Sequence, residues 1–355
     1  RATVHGVQIF RVWTSRFGRG RLLGRAMDYG TFYLSALWCL LKLVRVGDVV
    51  VAKTDPPLIS VFAAIASKVR GAVLINWIQD LFPEVAGALA VQGAGWLDQP
   101  LRNLRNRSLL AARCNVVIGE GMARRLRDEG IPPDTMRVIH NWADGLAIQP
   151  VDRKKNTLRR EWGLQEKFVV GYSGNFGRAH EFETILSSAE LLREEQHIAF
   201  LFIGAGAQLE WMKREVDRRQ LHNVLFKPYQ PRDQLALSLS TPDIHVISLQ
   251  PSLEGLIVPS KFYGIAAAGR PMLFIGDSNG EIPGLLKSAQ CGFSVEIKQA
   301  EQGASIIREL ARDEHACNSL GHRARTLFDQ RFERRFAENA WERVIAESIT
   351  DMKSQ

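Results

Sequence analysis

The residues best equipped for chemistry gather between positions 251 and 276. Glu254 is a lone acid in the loop after the apolar run 244–249, and Pro259, Ser260 and Lys261 then open a short helix. Ala266, Ala267, Ala268 and Gly269 are small enough to let that helix lie close to a sheet. A helix start at the carboxyl end of a parallel strand offers unpaired amides and the positive end of the helix dipole. The backbone of Gly255, Leu256, Ile257 and Val258, with Ser260 and Lys261, therefore suits a phosphate-bearing ligand.

A second stretch, 168–186, reads as a strand running into a glycine-rich turn and then a helix, the arrangement in which backbone amides approach phosphate oxygens. Gly174 and Gly177 do not complete a Gly-x-Gly-x-x-Gly dinucleotide fingerprint. Arg178 in that turn is permanently charged and can bond two oxygens at once, which makes it the leading phosphate cation. His180 can donate a hydrogen bond in either protonation state. The bland reading of the turn is an ordinary strand-to-helix connection.

Weaker signals follow the same logic. Gly204 and Gly206 close a strand-like run, and Tyr229 stands just after another, as a ligand contact or a core aromatic. Gln79 and Asp80 end a strand near the amino terminus; Asp80 is suited to binding a hydroxyl or to capping the next turn.

These residues need a scaffold, and the pattern of apolar runs supplies one. Strand-like runs at 7–13, 49–53, 73–78, 115–118, 137–139, 168–172, 200–203, 224–226, 244–249, 272–275 and 293–297 alternate with helical segments. That alternation predicts an α/β fold of parallel, doubly wound sheets, with ligands at the carboxyl ends of the strands. A chain of 355 residues is too long for one ordinary core, and the runs divide near position 150. The expected domains are 1–148, completed by a carboxyl-terminal helix over 335–355, and 149–334; the segment 328–349 is amphipathic.

A hydrophobic content of 46% and a charged content of 24% are those of a globular protein. The net charge of +8 points to an anionic partner: a nucleic acid, a membrane surface or a negatively charged substrate. No nucleic-acid recognition signature accompanies the charge, so nucleic acid is not expected as a partner. The four cysteines are scattered without paired spacing, which argues against a disulfide framework or a zinc site and for a reducing compartment.

The wording Pro-Ser-Lys-Phe-Tyr-Gly-Ile-Ala-Ala-Ala-Gly-Arg-Pro at 259–271 resembles the donor-sugar signature of retaining glycosyltransferases of family four, in the branch that builds bacterial surface polysaccharides. The resemblance extends over nearly the whole chain. It implies the GT-B fold, two Rossmann-like domains facing across a cleft, and an enzyme independent of metals or other cofactors. The family pattern is Glu, seven residues, Glu. Glu254 matches the first acid, but anchoring on Gly269 puts the second at Gly264, with the spacing longer by two. Glu281, the nearest acid by sequence, is the candidate to stand in. The resemblance assigns Glu254 to donor-sugar hydroxyls, Asn175 and His180 to the positions where the family places cations against the diphosphate, Gly204 and Gly206 to the nucleotide, and Tyr229 to the base. Gln79 replaces a family histidine, which removes a general base there but leaves a hydrogen-bonding amide.

By the same resemblance the substrate is a nucleotide-diphosphate sugar, UDP favoured, and the acceptor is a polyisoprenyl-diphosphate-linked or other saccharide at the inner face of the cytoplasmic membrane. A GT-B sugar-nucleotide epimerase is the alternative enzyme. No strand and glycine-rich loop of the kind that opens a GT-B amino-terminal domain precedes Val7, so that segment is expected to be missing. Arg16, Arg19, Arg21 and Arg25 precede the apolar stretch 31–44, which holds Lys42 and is too short to span a bilayer. A peripheral, interfacial anchor on anionic lipid and a buried helix with solvated arginines both fit it. Arg102, Arg105, Arg107, Arg113, Arg124, Arg125 and Arg127 form a second basic stretch that would extend such a surface.

Overall fold

The computed structural model describes residues 2–18, 22–89 and 95–353; Arg19, Arg21 and residues 354–355 lie outside the described residues. The chain divides into two compact units. One comprises Arg1–Ile118, Met122–Ile139 and Trp341–Gln355, the other Gly119–Gly121 and His140–Ala340.

The first unit opens with an antiparallel hairpin, β1 (Ala2–Val4) and β2 (Val7–Ile9), whose register pairs Ala2 with Ile9. The run at 7–13 was expected in the parallel sheet. It instead stops at Ile9 and, among the described residues, pairs with β1 alone; Val4 and Val7 are exposed, 49% and 64%. The main sheet is parallel and sequential: β3 (Val49–Lys53), β4 (Val73–Ile78), β5 (Cys114–Val117) and β6 (Met136–Val138). Val50, Ala52 and Leu74 pack under the helix Ile59–Arg70 through Ala63 and against Leu40 of the helix Leu22–Leu43. Part of the second basic stretch is internal. Arg105 is buried and bonds Glu84 at 2.8 Å and Glu129 at 2.5 Å, so it adds nothing to a basic surface.

The second unit is built on six parallel strands: β7 (Phe168–Asn175), β8 (Ile198–Ala205), β9 (Val224–Lys227), β10 (Ile244–Ser248), β11 (Met272–Ile275) and β12 (Gly292–Val295). They lie in the order β12-β11-β10-β7-β8-β9. Winding reverses between β7 and β10, which pair through Ile244 with Val170, and the crevice outside the carboxyl ends of these two strands is where such sheets hold ligands. Both faces are covered. Val170, Tyr172, Phe200 and Phe202 face one core, while Val169, Ala199, Leu201 and Ile203 face another with Leu158 and Trp162. Burial on both faces is why these strands read as unbroken apolar runs. At the amino ends of β7 and β10, the buried Arg159 guanidinium forks onto Asp243 at 3.0 and 3.1 Å, and Asp243 also accepts from the Val169 amide at 2.7 Å.

Candidate functional site

The site is built at the switch point of the second unit. β7 ends at Gly174-Asn175 and β8 at Gly204-Ala205, in register with one another. Gly204 has φ +142°, and a Cβ there would lie 2.0 Å from the Gly174 carbonyl oxygen, so the two strand ends can run this close only as glycines. A Cβ on Gly174, φ +133°, would meet the Lys261 stem at 2.8 Å. The glycines thus clear a path along which Lys261 reaches the strand ends. Gly206 follows β8 with the Asn175 amide lying against it, and Asn175 itself is exposed.

The glycine-rich loop after β7 is pinned at several points. The Gln208 side-chain amide donates to the carbonyls of Gly177 (2.7 Å) and His180 (3.0 Å), and the Gln250 amide donates to Ala179 (2.9 Å). His180 Nδ1 lies 2.6 Å from the carbonyl oxygen of Ser248, at the end of β10. A carbonyl can only accept, so Nδ1 carries the hydrogen and Nε2 of the neutral ring is left as an acceptor. Lys261 Nζ donates to it at 3.0 Å and sits 4.9 Å from the centre of the Tyr172 ring. Burial and then the Lys261 charge push His180 down to about 4, and burial pulls Lys261 down to about 8. At neutral pH the ring is neutral and the amine charged. The expectation that His180 donates to a ligand is corrected on this point, because both ring nitrogens are engaged within the protein.

Lys261 opens into a cavity of about 260 Å³ lined by Ser173, Gly174, Tyr229, Gln230, Ser238, Leu239, Ser260 and Gly264 among others. Tyr229 is not a core aromatic: it is 55% exposed, and its hydroxyl donates to the Ala205 carbonyl at 3.4 Å. Ser173 Oγ is buried and has no hydrogen-bond partner among the described residues. Gly264 lies in the cavity wall, and a Cβ there would touch only Leu239, at 3.3 Å. No lining residue is acidic. Arg178, the leading cation by sequence, is exposed and is not part of the lining; permanent charge says nothing about where a side chain points. Ser173, Gln208, Gln230, Ser238 and Ser248 were missed, since single polar residues beside apolar runs carry no pattern.

The loop 254–258 serves itself more than a ligand. Gly255 turns at φ +74°, and the amides of Leu256 and Ile257 both bond the Leu253 carbonyl, at 2.9 and 3.3 Å. Leu256 and Val258 are buried, and the helix starts later, at Lys261. Amides at 256 and 257 are therefore not free for phosphate, contrary to the expectation. Glu254 Oε1 accepts from the Glu281 amide at 2.8 Å and so caps the helix Glu281–Ala289; burial raises its carboxyl above the ordinary range. Glu281 in turn spends both oxygens on the amides of Glu120 and Gly121, at 3.1 and 2.9 Å, and a Cβ on Gly119 would crowd it at 3.1 Å. Both its oxygens are committed to those amides, which leaves it unsuited to stand in for a carboxylate at Gly264.

Within the first unit, Gln79 follows β4 with its backbone amide on Thr54 Oγ1 at 3.1 Å, and its side-chain Nε2 is buried without a partner among the described residues. Asp80 borders a small recess with Thr54, Pro57 and Arg105, and burial followed by the Asp55 charge raises its carboxyl. Among the described residues, no group of three or more His, Cys, Asp or Glu side chains is placed to hold a metal ion, and no helix is long and apolar enough to cross a membrane.

Comparison with known proteins agrees with this layout. Residues 154–327 match the family model for glycosyl transferases group 1. The chain is 28% identical to a probable glycosyltransferase of Pseudomonas aeruginosa, WbjE, over 89% of this chain and 79% of that one. It is 26% identical to WcaI of Escherichia coli, a putative colanic acid biosynthesis glycosyl transferase, over 88% and 79%. The crystal structure of Anabaena HepE in complex with UDP and glucose shares the fold, with a TM-score of 0.73 at 16% identity over 97% of this chain and 87% of that one. Two Rossmann-like units with parallel sheets are those of the GT-B fold, and residues 154–327 carry the likeness to the group 1 glycosyl transferases.

Proposed function

We propose that this glycosyltransferase takes a hexosyl group from a nucleotide-diphosphate sugar, with UDP as the nucleotide, and transfers it with retention to a lipid-linked saccharide in surface polysaccharide synthesis. The observation that carries the reading is the cavity at the β7–β10 switch point, where the Lys261 ammonium is the lining cation and no carboxylate opposes it. A buried ammonium in a site of low dielectric stabilises charge developing on a leaving diphosphate far more than it would in water. Tyr229 offers an exposed ring for a base, and the unpartnered Ser173 hydroxyl and the hydroxyls of Ser238 and Ser260 suit the ribose and phosphates.

In the reaction the bond between the anomeric carbon and the diphosphate oxygen breaks while the acceptor oxygen bonds that carbon on the same face. The acceptor's proton passes to the departing phosphate oxygen. Lys261 holds the leaving group, Arg178 is free to reach it from the loop edge, and Glu254 fixes the loop that borders the sugar. UDP is favoured by the HepE complex, and the polysaccharide role by the names WbjE and WcaI carry. Asp80 and Gln79 are proposed for acceptor binding, and the amino-terminal unit for peripheral attachment at the inner face of the membrane.

Thermal shift with UDP, GDP and their sugars tests the donor. Stabilisation by UDP and UDP-sugars is expected; stabilisation by none of them would remove the reading. Radiolabelled donor incubated with membrane lipid extract should give a labelled lipid product. A labelled nucleotide sugar of changed configuration and no labelled lipid would identify an epimerase instead.

A further inference from the structure

His180 has no free ring nitrogen, yet its geometry is specific. Its backbone carbonyl is held by Gln208, its Nδ1–H by the Ser248 carbonyl at 2.6 Å, and its edge by the Tyr172 ring, centroids 5.8 Å apart. The single remaining acceptor, Nε2, points at Lys261 Nζ, 3.0 Å away. Lys261 has no acidic partner at this spot: Tyr172 lies on one side at 4.9 Å, and no carboxylate lines the cavity. A flexible four-carbon amine has many rotamers, and fixing it in one costs entropy unless a partner holds it.

We propose that His180 is a positioning residue that holds the Lys261 ammonium at the mouth of the cavity, aimed at a nucleoside diphosphate, through a tautomer locked by the Ser248 carbonyl. A neutral acceptor is suited to this task. A carboxylate in the same place would neutralise the lysine and repel the diphosphate, whereas an imidazole Nε2 orients the ammonium and leaves its full charge for the ligand. The inference rests on the reading of the cavity as the donor site. Besides His180 and Lys261, the titratable groups here are Tyr172 on β7, Tyr229 in the lining and the exposed Arg178 on the loop; β10 contributes the uncharged Ser248.

The test is UDP affinity as a function of pH, by calorimetry on the full chain. In the wild type, affinity should fall above about pH 8 as Lys261 loses its proton. His180→Asn keeps a donor for Ser248 and removes the acceptor for Lys261. A hydrogen bond accepted from a charged donor favours the charged form, so its loss should move this alkaline limb to lower pH by about one unit and weaken UDP about tenfold at pH 7.5. His180→Gln reaches far enough to accept again and should recover affinity to within about threefold, with the limb restored. If His180→Asn weakens UDP equally at every pH with the limb unmoved, His180 is merely structural and the inference is wrong. Lys261→Met should abolish the limb altogether. UDP binding with an unchanged limb in Lys261→Met would overturn the donor-site reading itself, a result distinct from failure of the histidine's role.

Discussion

Lys261 is a charged group kept in a poor place for charge, and that is measurable in the free protein. Its amine is drawn down to about 8 by burial, from an ordinary value of 10.5. Below pH 8 the amine is charged folded and unfolded, and folding bears the full desolvation cost; between about 8 and 10.5 the unfolded chain holds more protons, so stability rises with pH. Lys261→Met should therefore stabilise the free protein at pH 7, by about 1–3 kcal/mol, while weakening stabilisation by UDP. Urea unfolding with and without UDP checks both halves. The buried histidines act in the acid range. His180 and His245 are each pushed down to about 4 by burial, so from the ordinary value of 6.5 down to 4 the unfolded chain takes up protons that the folded one refuses. Stability should fall as pH drops through that window. Glu254 and Glu181, whose carboxyls burial raises, work in the opposite direction and limit the fall. Unfolding midpoints at pH 7 and 5 should separate by less in His245→Gln, which loses one of the two groups.

At the scale of elements, the buried fork of Arg159 on Asp243 joins the helix Thr157–Glu161 to the amino ends of β7 and β10. Removing Arg159 leaves the buried Asp243 carboxylate without its fork, with Arg153 farther off at 3.9 Å, so Arg159→Met should cost about 3–5 kcal/mol, while Arg159→Met with Asp243→Asn should cost less than the single change. Chemical denaturation of the three proteins measures the coupling. The elements were legible where burial imposed a pattern. β3, β4 and β11 have the ends that their apolar runs indicated; β11 and most of β4 are buried on both faces, whereas β3 alternates, with Val51 and Lys53 exposed. The hairpin Ala2–Ile9 was not legible, since its residues face solvent and only its turn at His5-Gly6, both at positive φ, marks it. The site was legible in part for the same kind of reason. Lys261 announced itself by standing after a strand at a helix start. The roles of His180 and Glu281 depend on a carbonyl 68 positions away and on amides 160 and 161 positions away, and no local pattern encodes such partners.

The net charge of +8 asks where the positive charge meets a partner, and the first unit offers one surface that joins charge to exposed apolar area. On the helix Leu22–Leu43, Leu34 and Trp38 are 66% and 63% exposed, and Lys42 lies over the Trp38 ring at 4.6 Å. The helix Ile59–Arg70 adds Ile65 and Val69, at 45% and 67%, with Lys68 and Arg70 in its last turn. Large exposed side chains that alternate with lysine and arginine suit the headgroup layer, where the rings enter the acyl boundary and the cations meet anionic lipid. Each cation near such a surface contributes about 1 kcal/mol, screened by salt, and each buried large apolar side chain about 1.5–3 kcal/mol. The two terms add, so binding should respond to both. Co-sedimentation with vesicles containing phosphatidylglycerol should exceed that with neutral vesicles and weaken as salt rises. Leu34→Ser with Trp38→Ser should lower it at least tenfold at low salt, yet leave UDP affinity untouched, because the cavity belongs wholly to the second unit. Equal binding of this variant and the wild type to anionic vesicles would mean that charge alone draws the protein to lipid and that the exposed tryptophan serves another purpose.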